Sequence, residues 1–148
     1  MVEGKRPLFG IQIIEALQKK GVDCSLDMFG DGVLRPELET YISEHDLEDI
    51  HIHGNETKET IKSYLETSHF LILASKSEGW PKVLAEAMFY GVIPISTRIS
   101  CVPFMLGEGG RGILIEPNLG EATQEFLNYL KQKNTFEQMS KNGLEWSQ

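Results

Sequence analysis

Basic residues are few: 14 Lys and Arg stand against 22 Asp and Glu, for a formal net charge of −8, and the cations are scattered along the chain. Binding a phosphate backbone needs a basic surface, so the composition argues against nucleic acid as a partner. Cysteine is scarcer still. Cys24 and Cys101 have no CxxC spacing, and two free thiols in a reducing compartment are expected rather than a disulfide framework. No apolar run approaches the roughly 20 residues of a membrane-spanning helix, and the opening residues carry no signal-peptide pattern. The expected location is therefore the cytoplasm. Histidine supplies no metal site. His51 and His53 share one face of a predicted strand, but no third ligand accompanies them, and Asp46-Leu47-Glu48 reads as solvated charge between helix and strand.

What is present is an ordinary globular composition, 41% hydrophobic and 24% charged, in a chain long enough for one domain that buries about two-thirds of its unfolded surface. One stretch organises it. Phe70 to Ser75 is a short apolar run and Lys76 to Pro81 a turn. Lys82 to Tyr90 has helical spacing, Gly91 is a stop, and Val92 to Thr97 is a second apolar run. This is the pattern of a parallel βαβ unit, whose strands lose in/out alternation because helices cover both faces. Pro81 suits the first helical turn and Gly91 the position just past the helix end.

The rest of the chain repeats the theme. A helix is expected from Leu8 to Lys20 with Ile11, Ile14, Ala16 and Leu17 inward, then a strand from Asp23 to Phe29 entering the turn Gly30-Asp31-Gly32. A helix from Pro36 to Glu44 and a strand from Ile50 to His53 follow. Thr57 caps a helix running to Thr67. After the central unit come a short turn at Phe104 to Leu106, a glycine-rich connector, a strand from Gly112 to Ile115, and helices over 120–132 and 135–146. The fold class is α/β, a doubly wound, Rossmann-like parallel sheet, and residues 1–148 form a single domain.

In an open parallel sheet, ligands bind beyond the carboxyl ends of the strands, so the turn after Ser75 is the place for chemistry. The free amides and positive dipole end of the following helix favour an anion, such as a phosphate, near Gly79 to Val83. Glu78 in the loop and Glu86 in the helix, with seven residues between them, have another job. Glu86 could accept hydrogen bonds from the vicinal hydroxyls of a ribose, and Glu78 from those of a second sugar. Together these groups describe a nucleotide diphosphate sugar. The plainer alternative pairs Glu86 with Lys82 at i, i+4 on a solvated face.

The run Glu78-Gly-Trp-Pro-Lys-Val-Leu-Ala-Glu86-Ala-Met-Phe-Tyr-Gly91-Val-Ile-Pro-Ile95 resembles the signature of retaining glycosyltransferases of family 4, which have the GT-B architecture. The likeness extends from about Lys5 to the C-terminus. It implies the C-terminal, donor-binding half of such an enzyme, with an acceptor-binding domain ahead of it and the first strand of the sheet missing. Glu78 then matches the glutamate that contacts the transferred sugar and Glu86 the one that binds ribose. Gly79, Trp80, Pro81, Lys82 and Val83 match the loop that approaches sugar and diphosphate. His53, Gly54 and Asn55 fall where the nucleobase passes, and Ser100 to Val102 border the sugar pocket. Lys5 matches the lysine of a basic pair that reaches the donor phosphates. The arginine of that pair has no counterpart, because Arg6 lies on the wrong side of Lys5.

The implied activity is transfer of a sugar, with retention and without a metal or other cofactor, to a glycan or lipid-linked acceptor. The setting is cell-surface polysaccharide biosynthesis, with the full-length protein peripheral at the inner membrane face and this half alone inactive. In the family the last helix crosses onto the N-terminal domain, which would leave Phe136, Met139, Leu144 and Trp146 exposed if core packing does not claim them. Two rivals remain at this stage: a nucleotide-sugar epimerase of the same architecture, and a phosphoacceptor signalling module. The latter needs acidic strand ends facing a lysine, which this chain lacks.

Overall fold

A computed structural model describes residues 1–148. A 3-10 turn at Glu3–Lys5 opens the chain, followed by α1 (Pro7–Lys19), β1 (Leu26–Phe29), α2 (Arg35–Glu44), β2 (Ile50–Gly54) and α3 (Lys58–Thr67). Then come β3 (Phe70–Leu73), α4 (Lys82–Phe89), β4 (Ile93–Thr97), α5 (Val102–Met105), a second 3-10 turn at Gly107–Gly109, β5 (Ile113–Ile115), α6 (Leu119–Leu130) and α7 (Lys133–Ser147). Every strand pairing is parallel, with Leu26 beside Ile50, Phe70 beside Ile93 and Ile95 beside Ile113. The alternation of strand and helix is that of a doubly wound α/β domain. The strands do not form one continuous sheet: β1 and β2 make one, and β3, β4 and β5 another.

The core lies between the strands and α1, α6 and α7. Ile11, Ile13, Ile14 and Leu17 of α1 are buried together with Ile93, Ile95, Ile113, Ile115 and Phe126. Each such side chain contributes about 1.5–3 kcal/mol by leaving water. Ile13 takes the inward place expected of Ala16, which is only half-buried. A second cluster joins Leu84 and Met88 of α4 to Val102, Met105, Leu106 and Leu114.

Several local expectations shift. The first strand starts at Leu26, and Asp23 to Ser25, including Cys24, are irregular. The Gln18 amide spans this segment, donating to the Cys24 carbonyl at 2.8 Å. The segment at Phe104 is part of a helix, α5, that begins two residues earlier, at Val102. Phe136 and Met139 are claimed by the core: Met139 is buried, and Phe136 meets Phe70 edge-on at 5.3 Å. Both cysteines are free.

Candidate functional site

The turn between β3 and α4 is held by polar groups that are themselves fixed. At the end of β3, Ser75 is fully buried. Its carbonyl accepts a hydrogen bond from the buried Thr97 hydroxyl of β4 at 2.7 Å, and its own hydroxyl donates to Glu78 Oε1 at 2.7 Å. From the other side comes the segment ahead of α1. Arg6 sits in the left-handed region (φ 45°, ψ 55°), a conformation that costs about 1–2 kcal/mol for a residue with a Cβ. Its guanidinium offsets that cost by donating to the Ala74 and Ser75 carbonyls at 3.1 and 3.2 Å, and the Lys76 amide donates to the Gly4 carbonyl at 2.7 Å. This arrangement carries the Lys5 ammonium onto the Glu78 carboxylate, an ion pair across 73 positions of sequence.

The Glu78 side chain is only 13% exposed. Burial pushes its carboxyl upward, but the hydrogen bonds from Lys5 and Ser75 and the charge of Lys5 outweigh it, and the net result lies below the ordinary carboxylate value. Glu78 is therefore an anion with its acceptor capacity partly engaged, in a place a ligand hydroxyl can reach.

The next residues form α4's amino end. Pro81 is buried and sits one position before the helix, which begins at Lys82. The amides of Gly79, Trp80, Lys82 and Val83 find no acceptor within the chain. Free donors at a helix start, on its positive dipole end, form an anion site. Trp80, Lys82 and Val83 project outward. Cys101, inside the Ser100 to Val102 segment, reaches back to this loop with its Sγ 3.2 Å from the Gly79 carbonyl.

Glu86 lies on the exposed side of α4, while Leu84, Ala87 and Met88 face inward. It forms no ion pair with Lys82, so the plain i, i+4 alternative is not realised, and no other side chain engages it. Its carboxylate is open to a ligand. α4 itself is clamped from behind by α7. A Cβ at Gly143 would lie 3.0 Å from Met88 Cγ, and Ser140 donates to the Gly91 carbonyl at 2.7 Å. Gly91 has φ 74°, the left-handed conformation that its place past the helix end predicts.

The His53-Gly54-Asn55 loop belongs to the other sheet, and no bond joins it to the Glu78 turn. The His53 ring is engaged below, with Nε2 2.7 Å from Asp27 Oδ1 and its face stacked on Phe29 at 4.9 Å. The Asn55 side chain is exposed, and with the loop's backbone it is the group open to contact there. Arg35 covers Gly54 so closely that a Cβ there would lie 2.7 Å from its guanidinium.

Sequence reasoning gave no role to Ser75, Thr97 or Arg35, and weighed Arg6 only as a phosphate contact, on the wrong side of Lys5. The signal for Ser75 was present, a hydroxyl at a strand's carboxyl end three residues before the loop glutamate. The role of Arg6 depends on a tertiary contact that no local pattern reports. No three His, Cys, Asp or Glu side chains converge as metal ligands. No helix is long and apolar enough to cross a membrane. Two open hollows lie away from this turn, one lined by Arg98, Glu116, Glu121 and Glu125 and another by Glu39, His51 and His53. The first carries three carboxylates against one guanidinium, a poor setting for an anion.

The chain is similar to an uncharacterized glycosyltransferase of Methanocaldococcus jannaschii, 28% identical over 94% of this chain and 43% of that protein. It is also similar to the amylovoran biosynthesis glycosyltransferase AmsK of Erwinia amylovora, 30% identical over 82% of this chain and 32% of that one. It thus spans well under half the length of these relatives. In three dimensions it resembles Anabaena HepE, solved in complex with UDP and glucose, with a TM-score of 0.83 at 16% identity over 99% of this chain and 41% of that one. That likeness places the fold among GT-B glycosyltransferases. The sequence profile described as glycosyl transferases group 1 matches residues 3–146, and the chain belongs to that family.

Proposed function

We propose that residues 1–148 form the donor-binding domain of a retaining glycosyltransferase, which takes a sugar from a nucleotide diphosphate sugar and passes it to a glycan or lipid-linked acceptor. The observation that carries this reading is the row of unpaired amides from Gly79 to Val83, beside the Lys5 ammonium and between the carboxylates of Glu78 and Glu86. The diphosphate rests on the amides. Glu86 accepts from the ribose hydroxyls, Glu78 from the hydroxyls of the sugar being transferred, and the backbone of His53, Gly54 and Asn55 borders the base.

As the bond between sugar and diphosphate breaks, negative charge grows on the leaving oxygen. Fixed dipoles and Lys5 stabilise it without reorganising, which is the role a metal would otherwise fill. Lys5 must first leave Glu78, and that exchange frees the carboxylate for the sugar. HepE was solved with UDP and glucose, and AmsK acts in polysaccharide biosynthesis. The first supports a nucleotide sugar as donor and the second a polysaccharide as the setting, and the reading places the full-length protein in the cytoplasm at the inner membrane face. Acceptor binding is assigned to a separate N-terminal domain, so this domain alone performs no transfer.

A thermal-shift panel of UDP, GDP, ADP and their sugars tests the reading. At a hundredfold over its dissociation constant, the matching nucleotide stabilises by about 2.7 kcal/mol. Glu86→Ala, at an exposed position, leaves the fold intact and removes that gain. An undiminished shift in the variant contradicts the assignment.

A further inference from the structure

The base end of the site holds a cation that neither the sugar nor the diphosphate uses. Arg35 is the first residue of α2, just after the Gly30-Asp31-Gly32 turn. The Gly30 amide donates to the Gly54 carbonyl at 2.7 Å, which ties the end of β1 to the His53-Gly54-Asn55 loop at the end of β2. Arg35 lies across that junction. A Cβ on Gly54, whose φ is 78°, would stand 2.7 Å from Nη1 and 4.0 Å from Nη2, so only a residue without a side chain lets the guanidinium approach this closely.

Two carboxylates fix its orientation. Nε donates to Glu39 Oε1 at 2.9 Å and Nη1 to Asp31 Oδ2 at 3.1 Å, and Asp31 is held in turn by the Gly32 amide, 2.7 Å from Oδ1. The Arg35 side chain is 30% exposed, and neither hydrogen of Nη2 meets an acceptor within the chain. A planar donor group is therefore preorganised beside the loop and left open on one side.

We infer that Arg35 reads the base of the nucleotide donor and selects one with a carbonyl beside its ring N–H, uracil or guanine, over cytosine and adenine. This role rests on the donor-domain reading and adds the class of base to it. A guanidinium donates and never accepts, so its partner must carry a lone pair. A second anion is a poor partner, because Asp31 and Glu39 already meet the positive charge and the amides of 79–83 serve the diphosphate. The base, placed against residues 53–55, is the neutral acceptor at hand. The exposed Asn55 amide carries both an acceptor and donors, and by turning over it complements either kind of base edge. Arg35 has no such freedom. Its hydrogens meet O4 of uracil or O6 of guanine, where cytosine and adenine present an amino group, a donor facing a donor.

Calorimetric titration with UDP, GDP, CDP and ADP at one salt concentration is the test. The parent chain should bind the better of UDP and GDP about tenfold or more tightly than CDP and ADP, with the order of UDP and GDP reporting only the room for a second ring. Arg35→Gln, whose amide presents either a donor or an acceptor, should remove most of that gap. The exposed ion pairs it gives up are worth little, so the fold is kept. Arg35→Lys retains a donor and should retain most of the preference. Equal weakening of all four nucleotides by Arg35→Gln would make Arg35 a brace between the two loops and overturn the role, as would a parent chain that prefers CDP or ADP. Failure of the donor-domain reading looks different: none of the four binds, or Glu86→Ala leaves binding unchanged, and the role of Arg35 falls with it.

Discussion

β4 buries all five of its residues, whereas β1, also parallel and also accompanied by helices, buries none of its four. The difference follows what surrounds each strand. β4 has paired neighbours on both sides and α4 and α7 packed close by. β1 has one neighbour, and α3 buries nothing beside it. The candidate site sits on the well-packed half, where Thr97 and Ser75 form a buried polar stack beneath Glu78. That stack gives the Glu78 carboxylate a rigid base. The His53 loop lies on the less packed half.

Core truncations give the largest effects that can break this comparison. Ile95→Ala in β4 should cost about 3 kcal/mol in urea unfolding, by transfer loss and cavity formation, and Met28→Ala in half-buried β1 about 1 kcal/mol. Equal costs would mean that the two halves are packed alike. Ser75→Ala removes one donor to Glu78 and should cost about 1 kcal/mol. It should also raise the Glu78 titration midpoint, read by carboxyl NMR.

Thr57→Ala sharpens the comparison from the other side. The Thr57 hydroxyl accepts from the Thr60 amide at 3.2 Å, and a helix with no buried residue depends more on its cap, so the expected loss is about 1 kcal/mol. That loss should appear as fraying of 58–67 in amide exchange, without change in β4. Lys5→Ala has the smallest effect, about 0.5 kcal/mol, because the ammonium is half exposed and solvent screens the pair. Its signature is in the pH dependence. The Glu78 pKa is lowered in the folded state, so its contribution is complete above the ordinary carboxylate value and lost as pH falls through the lowered one. Stability of the variant should therefore fall less steeply in acid than that of the parent chain.

Much of the central unit was legible because its signals are local. Thr57 caps α3, Gly91 takes a positive φ just past α4, and the apolar spacing of Leu84, Ala87 and Met88 names the buried face. What escaped was tertiary. The left-handed turn at Arg6 exists because its guanidinium meets two carbonyls 68 and 69 positions away, and Lys5 reaches Glu78 only through that turn. Strand propensity extended β1 back to Asp23. In the structure the Cys24 carbonyl instead accepts from Gln18 of α1, and the ladder to β2 begins at Leu26. Glu78 on the loop and Glu86 on the helix were both read as acceptors for sugar hydroxyls. The structure separates them: Glu78 is held by Lys5 and Ser75, and Glu86 is free.

Amide chemical-shift mapping during titration with UDP, or with whichever nucleotide stabilises the protein, tests the central claim most directly. The account predicts the largest shifts at Gly79, Trp80, Lys82 and Val83, with smaller ones at Lys5 and at 53–55, and loss of the response in Glu86→Ala. Shifts centred on 114–125, or none in the turn after β3, would contradict it.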